Sequence, residues 1–147
     1  MQRRAFLALA ALGATATLTA CGGVSNPMAF VNDPLIGGLT KGIAGLSETQ
    51  AAGGVGSMLG LAKNSLSPSD FGSISKLMPN ADSYLRAASD AGISTGDIRS
   101  VDGLNQAFAK LGMNPNQARS LLGSVTDFIG KEGGSATRGL MTKALGM

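Results

Sequence analysis

The chain has 147 residues, with 12 Lys and Arg against 9 Asp and Glu, no His, no Trp, one Tyr and one Cys. That inventory excludes Ser-His-Asp and Cys-His nucleophile systems, zinc sites built on imidazole or several thiolates, and c-type haem attachment. The Lys and Arg residues beyond position 40 stand singly from Lys41 to Lys143 rather than as a clustered footprint, so nucleic acid is not an expected partner.

The N-terminus opens with Arg3 and Arg4, continues uncharged from Ala5 to Ala20, and closes on Leu18-Thr19-Ala20-Cys21. A spanning helix needs about 20 strongly apolar residues. Here Gly13, Thr15, Thr17 and Thr19 dilute a shorter run, which fits a secretory h-region better than a permanent anchor. Leu18-Thr19-Ala20-Cys21 resembles the bacterial lipobox, L-[AST]-[AG]-C, at all four positions. The resemblance implies cleavage between Ala20 and Cys21, a diacylglyceryl thioether on Cys21 and acylation of the new amino group. Two or three acyl chains anchor stably where one does not. The competing reading is a buried core cysteine that merely follows apolar sequence.

Arg3-Arg4-x-Phe6-Leu7 also resembles the twin-arginine export motif, departing from it at Gln2 and Ala8. An ordinary Sec signal with two chance arginines stays open beside it. Gly22, where aspartate would signal inner-membrane retention, leans toward the outer membrane of a Gram-negative envelope. Residues 1–20 are thus expected to be a cleaved signal and 21–32 a Gly-, Ser- and Pro-containing tether. Residues 33–147 are expected to form one domain. Once the signal is removed, ten Lys and Arg face nine Asp and Glu, so the basic balance is mostly an address effect.

From Asp33 the chain reads as punctuated helices. Asp33-Pro34 offers an N-cap and a first-turn proline, and Leu35, Leu39, Ile43 and Leu46 form one face. Ser47 and Gln50 have capping-box spacing and open the second helix. Ser67-Pro68 starts a third, with Phe71, Ile74, Leu77 and Met78 facing inward, and Pro79 stops it. A short helix near Ala81–Ala88 carries Tyr84 and Leu85, and a loop follows to Ser100. The stripe Val101, Leu104, Phe108 and Leu111 restarts the pattern. Asn114-Pro115 begins the next helix, and Ser135 is the expected cap of a last one bearing Leu140, Met141, Ala144 and Leu145. No stretch alternates at period two. The expected fold is all-α, a compact bundle of six or seven short helices.

The halves invite comparison, because Leu39, Ile43 and Leu46 match Leu104, Phe108 and Leu111 in spacing. Each set precedes a Gln-Ala pair, Gln50-Ala51 and Gln117-Ala118, with two extra residues in the second copy. Either a helical hairpin is duplicated or two amphipathic helices align by chance.

The second helix is the unusual one. Gly53, Gly54, Gly56 and Gly60 each cost about 1 kcal/mol relative to alanine in a helix interior. Ala52, Gly56 and Gly60 form a smooth ridge at i, i+4 and i+8. Two readings account for it: close packing of a buried central helix, or a groove for a lipid or apolar peptide with Met58 and Met78 as adaptable walls. A phosphate loop is excluded, since GxGxxxG replaces GxGxxG and no strand precedes it. Asp82, Asp90, Asp97 and Asp102 lack a calcium-loop pattern. They read as caps and turns, with Asp82 pairing Arg86 along a helix face.

Gln50-Ala51-Ala52-Gly53-Gly54, Leu59 to Lys63, Leu66-Ser67 before Asp70-Phe71, and Pro79 together resemble the VcgC/VcgE-type domain, a family of unknown function in bacterial secreted proteins and lipoproteins. The resemblance covers most of residues 35–145. Asn80 stands where the pattern has glycine, which questions the turn there. The family supplies no catalytic residues to transfer. The expectation is a non-catalytic binding or structural module without cofactor or metal, held to a membrane by its acyl chains beside an envelope protein partner. A carrier or sensor of apolar ligands is the alternative.

Overall fold

Side-chain caps set most of the helix starts. The structure, a computed structural model, describes Phe30 and residues 32–147. Asp33 Oδ1 accepts from the Leu35 and Ile36 amides at 2.9 and 3.2 Å, and Pro34 occupies the first helical position of α1, Pro34–Gly42. Ser47 and Gln50 form a full capping box at the head of α2, Glu48–Ser65. Ser67 caps α3, Pro68–Leu77, and Ser100 caps α5, Val101–Lys110. Asn114 and Gln117 repeat the capping box at α6, Pro115–Ala144. Between α3 and α5 lie α4, Ala81–Asp90, and a single 3-10 turn, Thr95–Asp97. No strand occurs among the described residues, and the fold is all-α.

Helix α2 runs through the middle. Every residue from Ala51 to Ala62 is buried, and α2 touches all five other helices and the 3-10 turn, α4 most extensively. A helix buried on all faces must be apolar all round, which is what its Ala, Gly, Val, Met and Leu content supplies. Its one buried hydroxyl, Ser57 Oγ, donates to the Gly53 carbonyl at 2.8 Å.

Four expectations change. Phe30, assigned to the tether, is buried, and its carbonyl accepts from the Asp33 amide, so the packed part includes a residue ahead of Asp33. Helix α1 stops at Gly42, because Ile43 takes an extended conformation (φ −116°, ψ 109°). Ile43 and Leu46 still reach the core, but from the connection. The last two predicted helices are both present, 115–133 and 135–144, separated within α6 at Gly134 (φ 80°, ψ −179°), a backbone conformation that suits glycine, but Ser135 makes no capping bond. The bend brings Arg138 to within 2.9 Å of Asp127, eleven residues back, a span of about 16 Å along a straight helix. Asp82 and Arg86 do not pair.

A fifth concerns the two halves. Gly45 and Gly112 both have left-handed φ, 75° and 76°, and each precedes a buried apolar residue, Leu46 or Met113, and then the cap Ser47 or Asn114. The junctions therefore align without a gap, Leu46 on Met113 rather than on Leu111. Each glutamine closes its own capping box and reaches into the other junction: Gln50 Nε2 donates to the Leu111 carbonyl at 3.0 Å, and Gln117 Nε2 to the Ala44 carbonyl at 3.1 Å. The matched Gln-Ala pairs thus lock the α1–α2 and α5–α6 connections to each other.

Candidate functional site: the glycine ridge and the Asp33 clasp

The ridge on α2 is filled by protein along its length. A Cβ on Gly56 would lie 2.6 Å from the Tyr84 carbonyl carbon and 3.0 Å from Ala88 Cβ, far inside van der Waals contact. On Gly60 it would lie 2.9 Å from the Thr95 carbonyl oxygen. Gly53 and Gly54 instead face the flexible ends of Leu111, Met113 and Leu121, where a methyl group would be easier to accommodate. The two glycines of the i, i+4 ridge therefore admit neighbouring backbone, and the other two admit side chains. Met58 and Met78, the expected groove walls, are 0% and 2% exposed. Both sit inside the core.

Asn64 holds the far end of this contact. Its Nδ2 donates to the carbonyls of Thr95, Gly96 and Ile98 at 2.9, 3.2 and 2.8 Å, pinning the 3-10 turn over Gly60. Nothing in the local sequence marks Asn64, since its partners lie more than thirty positions away.

The near end leads to the one buried carboxylate. Tyr84, whose backbone covers Gly56, points its phenol at Asp33 Oδ2, and Asn80 Nδ2 donates to the same oxygen at 2.7 Å. Phe30 stacks on the Tyr84 ring with centroids 5.4 Å apart and planes 14° apart. Burial pushes the Asp33 carboxyl up, but the bonds from Tyr84, Asn80 and the Ile36 and Leu35 amides outweigh it and leave the pKa below the ordinary carboxylate value. Burial, then the hydrogen bond to Asp33 and its charge, hold the Tyr84 phenol well above its ordinary value. The carboxylate is saturated by four donors, and the phenol stays protonated. This arrangement clamps the start of α1 onto α4, and it takes up all four acceptor positions of the carboxylate.

Asn80 also answers the question raised by its replacement of glycine. Its φ of −97° needs no glycine, and its side chain serves Asp33 instead of capping α4. Sequence reading placed Asp33 as a cap and Tyr84 on a short helix but did not join them. A single Tyr and an Asp-Pro cap carry no pattern across the fifty-one positions that separate them. Among the described residues no group of three or more acidic side chains is placed to hold a metal ion. Arg3, Arg4, Phe6, Leu7, Ala20 and Cys21 lie outside the described residues.

Fold and ridge together define a small all-α module organised around one glycine-rich central helix. The chain belongs to the family described as protein of unknown function VcgC/VcgE, whose model matches residues 9–146. No curated protein and no solved structure matches it.

Two outcomes follow from this packing. Gly56→Ala should lower stability by about 1–3 kcal/mol or more by forcing α4 away. Gly123→Ala, on α6 where a Cβ meets nothing within 4 Å, should raise it by up to about 1 kcal/mol through helix propensity. Urea midpoints of the two variants should therefore move in opposite directions. The second outcome concerns Asp33. Because its folded-state pKa lies below the unfolded value of about 3.9, its contribution is complete above that pH and is lost as pH falls through the folded value. Asp33→Asn should cost about 1–3 kcal/mol at neutral pH and flatten the acid limb of stability below about pH 4, read by denaturant unfolding across a pH series.

Proposed function

We propose that the chain is a lipid-anchored protein of the bacterial cell envelope whose helical domain is a non-catalytic module for binding or structural association. The observation that carries this is Leu18-Thr19-Ala20-Cys21 at the end of an uncharged run opened by Arg3 and Arg4. A thiol at that position, the only one in the chain, is the substrate of lipoprotein processing. Export by the twin-arginine route fits Arg3, Arg4, Phe6 and Leu7, and would deliver the domain already folded.

The domain's own chemistry supports a non-catalytic role. Asp33 is fully engaged, the phenol of Tyr84 is held protonated, and no imidazole exists to relay a proton. The carrier alternative loses support from the packing, since Gly56, Gly60, Met58 and Met78 all face protein. No helix among the described residues is long and apolar enough to cross a membrane, so attachment in this reading depends on Cys21 alone. An envelope protein is the proposed partner, met by the outer surface of the bundle.

Cys21→Ser tests the anchor. In cells fed a fatty-acid analogue, the wild-type chain should carry label and partition with detergent, whereas Cys21→Ser should be unlabelled and remain in the aqueous phase. Label on Cys21→Ser would overturn the assignment.

A further inference from the structure

Phe30, the first described residue, is buried, and its carbonyl accepts from the Asp33 amide at 3.0 Å. Near Asp33 a cavity of about 110 Å³ is lined by Pro34, Leu77, Pro79 and Phe128 among others. On the other side of Phe128 a groove of about 280 Å³ runs between α1 and α6, lined by Leu35, Leu39, Ser124, Asp127 and Lys131. Half-buried Phe128 lines both concavities, as do Pro34 and Leu35, which follow Phe30 by four and five positions.

We infer that this face, α1 and α6 around Phe128, is the one that rests on the bilayer. The inference depends on the lipid anchor at Cys21. Eight residues separate Cys21 from Phe30. Even fully extended, the nine steps from Cys21 to Phe30 reach no more than about 32 Å, short of the ~35 Å width of a domain this size. The face beside Phe30 is thus the near face. Charge agrees with an anionic lipid surface: Asp127, the one acid lining the groove, is bridged by Arg138 at 2.9 Å, so Lys131 adds a net positive charge at the rim. Such a cation is attracted to an anionic leaflet. With the anchor already in place, contact is intramolecular and needs no high intrinsic affinity.

The only native thiol is consumed by lipid, so one introduced cysteine gives a unique label. Lipidated full-length chains carrying Ser124→Cys or Lys131→Cys, both exposed on this face, and Asp102→Cys or Lys110→Cys, exposed on α5 away from it, are labelled with an environment-sensitive fluorophore. They are reconstituted in vesicles of equal parts phosphatidylcholine and phosphatidylglycerol with a headgroup-level spin-labelled lipid. Labels at 124 and 131 should lose most of their fluorescence, and those at 102 and 110 little. Equal quenching at all four positions, or none at 124 and 131 while the protein floats with the vesicles, overturns the orientation. Labels at 124 and 131 shielded from aqueous iodide yet unquenched by lipid would also overturn it, and would assign the groove to a protein segment. A chain that carries no lipid at Cys21 overturns the anchor, and the orientation with it.

Discussion

The approach of Gly56 to the Tyr84 carbonyl is the contact on which the rest of this fold depends. Removing one Cβ lets α2 and α4 meet at backbone distance, and that distance fixes where α4 stands. Once α4 is placed, the Tyr84 side chain is aimed at Asp33, and Asp33 in turn caps α1 and collects Asn80. Phe30 then closes over the ring. A glycine that weakens helix α2 as an isolated element is thus the condition for three tertiary interactions. Helical stability in proteins comes mostly from such packing rather than from propensity.

The same logic explains why the polar groups of the interior are positional. Asp33, Asn64, Gln50 and Gln117 each satisfy backbone groups or a buried hydroxyl that would otherwise be orphaned, and each joins parts of the chain distant in sequence. Gln50 and Gln117 make the two helical junctions mutually dependent. No buried side-chain nitrogen or oxygen among the described residues lacks a hydrogen-bond partner. A domain built this way presents chemistry only on its outside, which is why its proposed role is to be held at a surface and to be touched there.

How far the sequence announced this depends on the range of each interaction. Caps are local, and Asp33, Ser47, Ser67 and Asn114 were legible because their partners lie two or three residues away. The helical class and the burial of Leu35, Leu39, Ile74 and Leu104 followed from periodic apolar residues. The glycine ridge was visible as an anomaly, but what fills it was not. Its partners are the carbonyls of Tyr84 and Thr95, which have no side-chain signature. For the same reason the end of α1 was misplaced: Ile43 and Leu46 continue the apolar pattern although the backbone has already turned at Gly42. The break before the last helix was legible at Ser135, but the turn is made by Gly134 rather than by a capping bond from that serine.

Native-state hydrogen exchange probes the claim that α2 is the keystone. The account predicts that amides from Gly53 to Leu61 exchange only through global unfolding, with an opening free energy and denaturant dependence equal to those of the whole domain, while α1 and the segment beyond Gly134 open earlier. Exchange of the α2 amides in a smaller opening event, with α5 and α6 still protected, would contradict it.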